Sequence, residues 1–318
     1  MKIFSLKRII VVLLTIYAVF CRSGEGRAYE IVIAQTSPAS YYEKAVAGFM
    51  EVAVESVAIT GPKSASPDTV NRFYINDTRD RELMARQISG SKPDLILAVG
   101  NQALEETEKY SDIPIVHLLV PSAAKYRAAR SNVTGIEMMV APARQLAAFI
   151  EVLPSVKSIG VVYDSAHSAS FVKEAQAIAD MRGIALVAEE VQDPRDVPAL
   201  LTRFVGLVDA FWMLPDPTVT TPVTVEAMLN FSFENDVPLL TFSDKYLKVG
   251  ASVSAGFDLF EIGSQAGRLA RKLLASPTGK FVEAEYPEAV KVELNHKMVA
   301  KLGLLVNTAS LNDRTFLD

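Results

Sequence analysis

Short apolar runs alternate with segments of helical spacing over most of the 318-residue chain. The run EIVIAQ at 30–35 is typical of a buried strand. Residues 142–154 place their apolar side chains on one helix face, and Pro142 suits the first turn. Strands that alternate with helices indicate βαβ units and parallel sheets. The predicted strands are 30–35, 73–75, 92–100, 113–120, 158–163, 185–191, 209–214, 237–242 and 289–294. The predicted helices are 77–88, 101–110, 142–154, 196–205, 223–235, 259–275 and 295–303, with an exposed loop at 276–280.

One strand–loop–helix pattern occurs twice. IVIAQTSPASYYEKAVAGF at 31–49 and SIGVVYDSAHSASFVKEAQ at 158–176 each have an apolar run, a serine-rich turn and a helical segment. An offset of 128 residues places Ser165 on Ser37 and Ser168 on Ser40. The repeat indicates two matched lobes.

The fold class predicted is therefore α/β, with two doubly wound parallel-sheet lobes joined by a multi-strand hinge. The first lobe is expected to hold 29–138 with about 250–278. The second is expected to hold 139–249 with about 285–318. Hinge segments are expected near 135–141, 246–252 and 277–288, where the chain would cross between lobes.

Residues 1–28 read as a secretory signal. Lys2, Lys7 and Arg8 precede a 13-residue apolar stretch at 9–21, and small residues at 26–28 suit cleavage after Ala28. The stretch is short for a bilayer span, although an uncleaved anchor is the alternative. A lipid anchor at Cys21 is disfavoured because Phe20 stands where a lipobox has a small residue.

Composition and charge narrow the class of partner. Half of the residues are hydrophobic and 22% are charged, which is globular composition. Without residues 1–28 the chain has 27 basic and 36 acidic side chains, a net charge of −9 that argues against nucleic acid. Cys21 is the only cysteine, so disulfides are not expected beyond the signal. Export without disulfides fits a bacterial periplasm, and a monomer is expected.

Polar and aromatic side chains follow the predicted strands, where open parallel sheets bind ligands. Hydroxyls beside helix N-termini suit a carboxylate, a carboxylate suits an ammonium, and aromatic rings suit an apolar group. A small zwitterion such as an amino acid would match all three. The predicted ligand-binding residues are Ser37, Ser40, Tyr41, Asn101, Gln102, Ser165, Ser168, Ser170, Asp216 and Ser243.

Each of these residues also has a structural interpretation. Serine and asparagine after a strand are common helix N-caps, and Asp216 between two prolines could shape a turn. Tyr41 and Tyr42 could pack under their loop, and Trp212 within a strand favours the core.

Sequence signatures of enzymes are absent. The chain has no G-x-G-x-x-G, Walker A, G-x-S-x-G or H-E-x-x-H pattern. Its three histidines, His117, His167 and His296, lie far apart in sequence, which disfavours a metal site. We therefore expect no catalytic residues, no metal and no cofactor.

Several segments together resemble the ABC-transporter substrate-binding proteins of the tryptophan/aromatic amino acid type, which have the type I periplasmic-binding-protein fold. The resemblance covers nearly all of residues 29–305. It rests on KPDLILAVG, IPIV, NVTGIEMMVAPARQLAAFIEVLPSVKSIGVVYD, DAFWMLPDPTV, VPLL followed by KVGAS, DLFEIGSQAGRLARKLL and VELNHKMVAKLGL.

The resemblance implies a ligand site carried over residue by residue. It assigns Asn101 to the first-lobe turn, Ser170 to the second-lobe helix and Asp216 to the segment after a strand. The chain departs from the family at Asn101, often Thr or Ser, and at Pro217, often Asn. VPSAAKY at 120–126 replaces an Asp-Pro turn. These departures lie on the expected ligand side of the lobes.

The sequence thus predicts an exported solute-binding protein that captures a small, amino acid-like ligand, aromatic or branched, between two lobes. An inner-membrane ABC permease would receive the ligand. The alternatives are a periplasmic sensor subunit that signals without transport, an enzyme, and a purely structural protein.

Overall fold

The structure, a computed structural model, describes residues 29–55, 69–121, 123–275, 282–307 and 316–317. The predicted signal at 1–28 and the predicted loop at 276–280 lie outside these residues. Among the helices described, none is long and apolar enough to cross a membrane.

Twelve strands are present in the described part of the chain. They are β1 (Glu30–Gln35), β2 (Thr69–Tyr74), β3 (Leu95–Val99), β4 (Ile115–Leu118), β5 (Val133–Gly135), β6 (Ser158–Tyr163), β7 (Ala185–Glu190), β8 (Ala210–Trp212), β9 (Leu239–Thr241), β10 (Val253–Gly256), β11 (Lys291–Asn295) and β12 (Phe316–Leu317).

Ten α-helices alternate with these strands. They are α1 (Ser40–Glu55), α2 (Thr78–Ser91), α3 (Asn101–Thr107), α4 (Ala124–Ala129), α5 (Pro142–Val152), α6 (Ser165–Arg182), α7 (Val197–Leu201), α8 (Pro222–Asn235), α9 (Leu259–Leu274) and α10 (His296–Lys301). Short 3₁₀ segments occur at Pro194–Asp196, Thr202–Phe204 and Asp244–Val249.

The chain divides into two compact units. The described parts of Met1–Gly135 and Ala266–Val282 form the first, and those of Ile136–Gln265 and Glu283–Asp318 form the second. The chain therefore passes between the units after Gly135, Gln265 and Val282.

The first unit is built on a five-stranded parallel sheet in the order β2-β1-β3-β4-β5. All five residues of β3 are buried, as expected for a strand covered on both faces. On one face, Val32 and Ala98 pack with Met84 and Ile88 of α2. This core fixes the carboxyl ends of β1 and β3 side by side.

The second unit contains a seven-stranded sheet in the order β12-β11-β10-β9-β8-β6-β7. Only the β10–β11 pair is antiparallel among the described strands. Trp212 of β8 lies fully buried among Phe149 and Phe171 on one face, so its predicted core position agrees with the structure. Phe211 faces the other way and packs against Phe204.

Both sheets contain the same doubly wound arrangement. In the second sheet, β7-β6-β8-β9-β10 repeats the order of the first, and β1 and β6 lie 128 residues apart, as in the sequence repeat. In such sheets the strand order reverses beside the first strand, here between β1 and β3 and between β6 and β8. The predicted α/β fold with two parallel-sheet lobes is confirmed.

Some sequence predictions differ from the structure. Strand β10 pairs with β9 in the second sheet, whereas the sequence assigned 250–278 to the first lobe. The second passage between units lies at Gln265, and residues 246–252 instead fall largely in the 3₁₀ segment Asp244–Val249. The hydrophobic periodicity of a sequence indicates a strand but not the sheet that the strand joins. This explains why β10 was assigned to the wrong lobe. The other predicted lobe limits stay a prediction.

The helix predicted at 196–205 is also different. The structure has only the five-residue α7 there, flanked by 3₁₀ segments. The helix predicted at 295–303 is shorter, since α10 covers His296–Lys301.

Candidate functional site

Thr36, Tyr42 and Gly100 lie together at the reversal point of the first sheet. The backbone N–H of Thr36 donates to Val99 O at 2.9 Å, and Thr36 Oγ1 accepts from the Ala103 N–H at 3.3 Å. Gly100 has a φ of +87°, and a Cβ atom at this position would overlap Tyr42 Oη and Thr36 Oγ1. Glycine therefore allows the tyrosine hydroxyl to lie directly over the β3–α3 turn.

The two adjacent tyrosines at the start of α1 have different environments. Tyr42 is 8% exposed, and burial raises the pKa of its hydroxyl to about 12. Tyr41 is 48% exposed, and its ring centroid lies 4.2 Å from that of Tyr42. Tyr42 thus packs under the loop, while Tyr41, the predicted ligand contact, presents an aromatic ring at the surface of the unit.

The other predicted residues of the first unit follow β1 and β3 in sequence. Ser37 and Asn101 are partly buried, while Ser40 and Gln102 are exposed. Ser40 and Asn101 are the first residues of α1 and α3, which is the predicted position after β1 and β3. Their polar groups follow the carboxyl ends of two neighbouring strands.

A partly buried polar network, which the sequence analysis missed, joins the end of β1 to β2, to α1 and to the loop 36–39. Gln35, the last residue of β1, is fully buried and donates to Ser37 O at 2.5 Å and to Glu43 Oε1 at 2.9 Å. Arg72 of β2 donates to Gln35 Oε1 and, at 2.5 Å, to Glu43 Oε1. Hydrogen bonding from Arg72 is the main reason that the pKa of Glu43 is lowered.

The network had a faint signal in the sequence. Gln35 ends an otherwise apolar run, and Arg72 lies just before the strand predicted at 73–75. The contact itself depends on register, because Ile33 pairs with Arg72 and Gln35 with Tyr74. A single sequence does not specify that register.

Two carboxylates, those of Asp164 and Asp216, lie at the reversal point of the second sheet. Asp216 is fully buried, and its Oδ2 accepts from the Asp164 N–H at 2.9 Å while its Oδ1 accepts from the Thr218 N–H at 2.9 Å. Thr218 Oγ1 in turn donates to Asp164 Oδ2 at 2.7 Å. This bond and the Ala166 N–H lower the pKa of Asp164.

The structure thus gives Asp216 the role of joining two loops of its own unit. Both carboxylate oxygens already accept backbone N–H groups, which agrees with the turn interpretation of Asp216. Asp164, whose pKa is lowered, is the carboxylate of this pair that favours a cation near this edge of the sheet.

The predicted serines of the second unit are distributed along α6 and after β9. Asp164 caps α6, so the helix begins at Ser165, while α1 begins three residues later in the repeat, at Ser40. Ser165 Oγ donates to Glu190, Ser168 is 7% exposed, and Ser170 is exposed. Ser243 is partly buried, with Oγ 3.4 Å from Asp244 Oδ1. Ser165 thus lies nearest the carboxyl edge, and Ser168 and Ser170 lie within the helix.

The described residues contain no group of three or more His, Cys, Asp or Glu side chains placed to hold a metal ion. His167 Nε2 lies 3.9 Å from Asp164 Oδ2. What both carboxyl edges offer is a set of hydroxyl, amide, carboxylate and aromatic groups, which suits reversible binding of a small polar molecule.

Solved structures of the same fold are similar to this chain. No curated protein matches the chain. Among solved structures, the ligand-free, open form of CD0873, a substrate-binding protein with adhesive properties from Clostridium difficile, aligns with a TM-score of 0.69 at 18% identity, covering 92% of this chain and 99% of that one. An ABC domain in complex with L-Trp from Streptococcus pneumoniae aligns with a TM-score of 0.55 at 17% identity, covering 92% and 100%. At these identities the alignments show the fold.

A sequence model of one family, described as ABC transporter substrate-binding protein, matches residues 72–314, which is more than half of the chain. This family consists of substrate-binding proteins, so the prediction that the chain is not an enzyme is confirmed. The chain belongs to the ABC transporter substrate-binding protein family.

Proposed function

We propose that the chain captures an amino acid-like ligand, aromatic or branched, through the carboxyl-edge loops of its two sheets, and delivers it to an ABC permease. The observation that carries the proposal is the recurrence of one strand order in both units, with polar loops at each reversal point. Open α/β sheets bind their ligands at that point. No chemical step is needed, since capture and release suffice.

The chemistry of the two edges supports a zwitterion. In the first unit, Ser40 and the start of the 16-residue α1 offer hydroxyl and backbone N–H groups that suit a carboxylate. In the second unit, the carboxylates of Asp164 and Asp216 belong to one hydrogen-bonded group that suits an ammonium. The exposed ring of Tyr41 suits an aromatic or branched side chain. The L-Trp complex of the Streptococcus protein makes tryptophan the first ligand to test.

The other predicted site residues remain part of the proposal. Ser37 follows β1, Asn101 and Gln102 follow β3, and Ser165, Ser168, Ser170 and Ser243 belong to the second unit. We also propose that the chain acts as a monomer in the periplasm after removal of residues 1–28, without a lipid anchor at Cys21.

A thermal-shift screen tests ligand capture. The panel comprises amino acids, aromatic acids, nucleosides, sugars and small carboxylates, and the protein is first unfolded and refolded to remove carried-over ligand. A ligand at one hundred times its dissociation constant adds about 2.7 kcal/mol to the free energy of unfolding. We expect shifts confined to amino acids. A shift confined to sugars or nucleosides, or no shift at all, would contradict the ligand class.

A pair of variants tests where the ligand binds. Tyr41→Ala should weaken binding, whereas Leu83→Ala, at a residue of α2 exposed to a similar degree, 42% against 48%, should not. Delivery is tested separately by uptake of labelled ligand in cells with and without the chain. If the chain binds the ligand but does not change uptake, the sensor alternative is favoured over transport.

A further inference from the structure

Gln35 is a buried amide that joins three elements of the first unit. It is fully buried at the carboxyl end of β1, where a polar side chain is costly unless its hydrogen bonds are made. Its Nε2 donates to Ser37 O of the loop at 2.5 Å and to Glu43 Oε1 of α1 at 2.9 Å. Its Oε1 accepts from Arg72 of β2. Both donor hydrogens and the acceptor are thus in use.

The partners of Gln35 are themselves held in place. Glu43 Oε1 accepts from Arg72 Nη2 at 2.5 Å and from Tyr74 Oη at 3.5 Å, and the Arg72 guanidinium lies 5.3 Å from the Tyr74 ring centroid. Charged partners make these hydrogen bonds stronger than neutral ones. The amide of Gln35 is therefore fixed in one orientation and can hold Ser37 O in one place.

Ser37 O belongs to the loop 36–39, which leads directly to Ser40 and Tyr41. We propose that Gln35 is a positioning residue for ligand capture: it holds loop 36–39 in its binding conformation through the Ser37 carbonyl, without touching the ligand. This inference rests on the proposed function for the identity of the ligand. A loop fixed in advance loses less conformational entropy when a ligand binds, so affinity depends on Gln35.

Gln87 provides a matched control in the same unit. Its Nε2 donates to Glu30 Oε1 at 2.7 Å, so it is another glutamine–glutamate pair of this unit, between α2 and β1. Glu30 is the first residue of β1, at the opposite end of the strand from Gln35. Gln87→Leu therefore removes a similar bond without altering loop 36–39.

The first measurement is amide hydrogen exchange in the ligand-free full chain. The N–H of Thr36 is bonded to Val99 O, and those of Tyr42 and Glu43 to Ala39 O, so their protection reports on both ends of the loop. Gln35→Leu should speed exchange at these three amides and leave the rest of the unit near the wild-type rate. Gln87→Leu should leave all three unchanged. Unchanged exchange in Gln35→Leu, or faster exchange throughout the unit in both variants, would overturn the proposal.

The second measurement is calorimetry with L-tryptophan as the probe. Gln35→Leu should weaken binding about tenfold, equivalent to about 1.4 kcal/mol, with Gln87→Leu at the wild-type value. Equal affinity for wild type and Gln35→Leu would overturn the positioning role. If the wild type itself does not bind L-tryptophan, the proposed ligand class fails, and the exchange pattern still decides the role of Gln35.

A swap variant separates positioning from stability. Gln35→Glu combined with Glu43→Gln keeps one carboxylate and one amide beside Arg72, and urea denaturation first establishes that this variant folds. The side chain at position 35 no longer donates to Ser37 O, so loop exchange should remain fast and L-tryptophan binding weak. Recovery of affinity together with stability would mean that charge balance around Arg72 matters and the Ser37 bond does not.

Discussion

The carboxylate of Asp216 accepts the backbone N–H of Asp164 at 2.9 Å, across 52 residues of sequence. Asp164 is the first residue after β6, and Asp216 lies in the segment that follows β8. One buried hydrogen bond therefore joins the two sides of the reversal point. Asp216 Oδ1 also accepts the Thr218 N–H at 2.9 Å. The bond explains why a fully buried carboxylate is tolerated here.

Replacement of Asp216 should therefore destabilise the fold. Asp216→Ala leaves the buried N–H of Asp164 and the partly buried N–H of Thr218 without acceptors, and we expect the free energy of unfolding to fall by about 2–4 kcal/mol. Asp216→Asn keeps one acceptor oxygen and should cost less. Urea denaturation measures both. Glu226→Ala, at an exposed position of α8, is the control and should be nearly neutral. A stable Asp216→Ala that has lost ligand binding would instead make Asp216 a direct ligand contact.

Gly100 should be intolerant of any side chain. Its φ of +87° and the position of Tyr42 Oη both oppose a Cβ atom. Gly100→Ala should therefore lower the free energy of unfolding by more than about 1 kcal/mol. Tyr42→Phe removes the hydroxyl, so part of the loss should be recovered when the two changes are combined. Additive effects in this double-mutant cycle, measured by thermal unfolding, would show that Tyr42 Oη does not cause the strain.

Gly90→Ala is the control for this cycle. Gly90 lies in α2, and a Cβ atom there would meet nothing within 4 Å. Alanine should stabilise that helix by about 0.5–1 kcal/mol, because glycine loses more backbone entropy on folding.

The strands could be predicted from the sequence because their signal is local. β3 reads as five consecutive buried apolar residues, and the strand–loop–helix repeat at an offset of 128 matches β1 and β6. The different exposure of Tyr41 and Tyr42 could also have been deduced. Tyr42 lies four residues before Val46 and seven before Phe49, on the buried face of α1.

The contacts of the candidate site could not be predicted, because they depend on pairing between distant segments. Gln35 meets Arg72 through the register of β1 with β2, and Asp216 meets Asp164 through β6 and β8. The sequence identified Asp216 as a polar residue after a strand, but not the backbone groups that occupy its oxygens. Assignment of β10 to the wrong lobe has the same origin.

Buried His117 should make stability depend on pH. Burial, with a smaller effect of the nearby Arg127, lowers the pKa of His117 from about 6.5 to about 3. Between these values the unfolded chain binds a proton that the folded chain does not, so the His117 contribution to stability is lost as pH falls from 6.5 toward 3. The slope from this residue is at most about 1.4 kcal/mol per pH unit.

A substitution at His117 tests this dependence. His117→Phe keeps a ring against Gly135, where a Cβ atom would overlap the histidine, and removes the titrating group. The free energy of unfolding, measured between pH 7 and pH 4, should fall less steeply in this variant than in the wild type. Trp212→Phe, which lowers stability without removing a titrating group, should keep the wild-type slope. Parallel curves for wild type and His117→Phe would show that His117 does not carry the effect.

The hydroxyl of Thr241 should be dispensable. Thr241 is fully buried on β9, and its Oγ1 has no hydrogen-bond partner among the described residues. An isosteric apolar side chain avoids the cost of that buried polar atom, so Thr241→Val should leave the urea midpoint unchanged or raise it. Thr224 is the matched control, since its equally buried Oγ1 donates to Val219 O at 2.8 Å. Thr224→Val should cost about 1–3 kcal/mol because it leaves that bond unmade. Equal losses in the two variants would mean that the Thr241 hydroxyl is satisfied in solution by an ordered water, which the valine displaces.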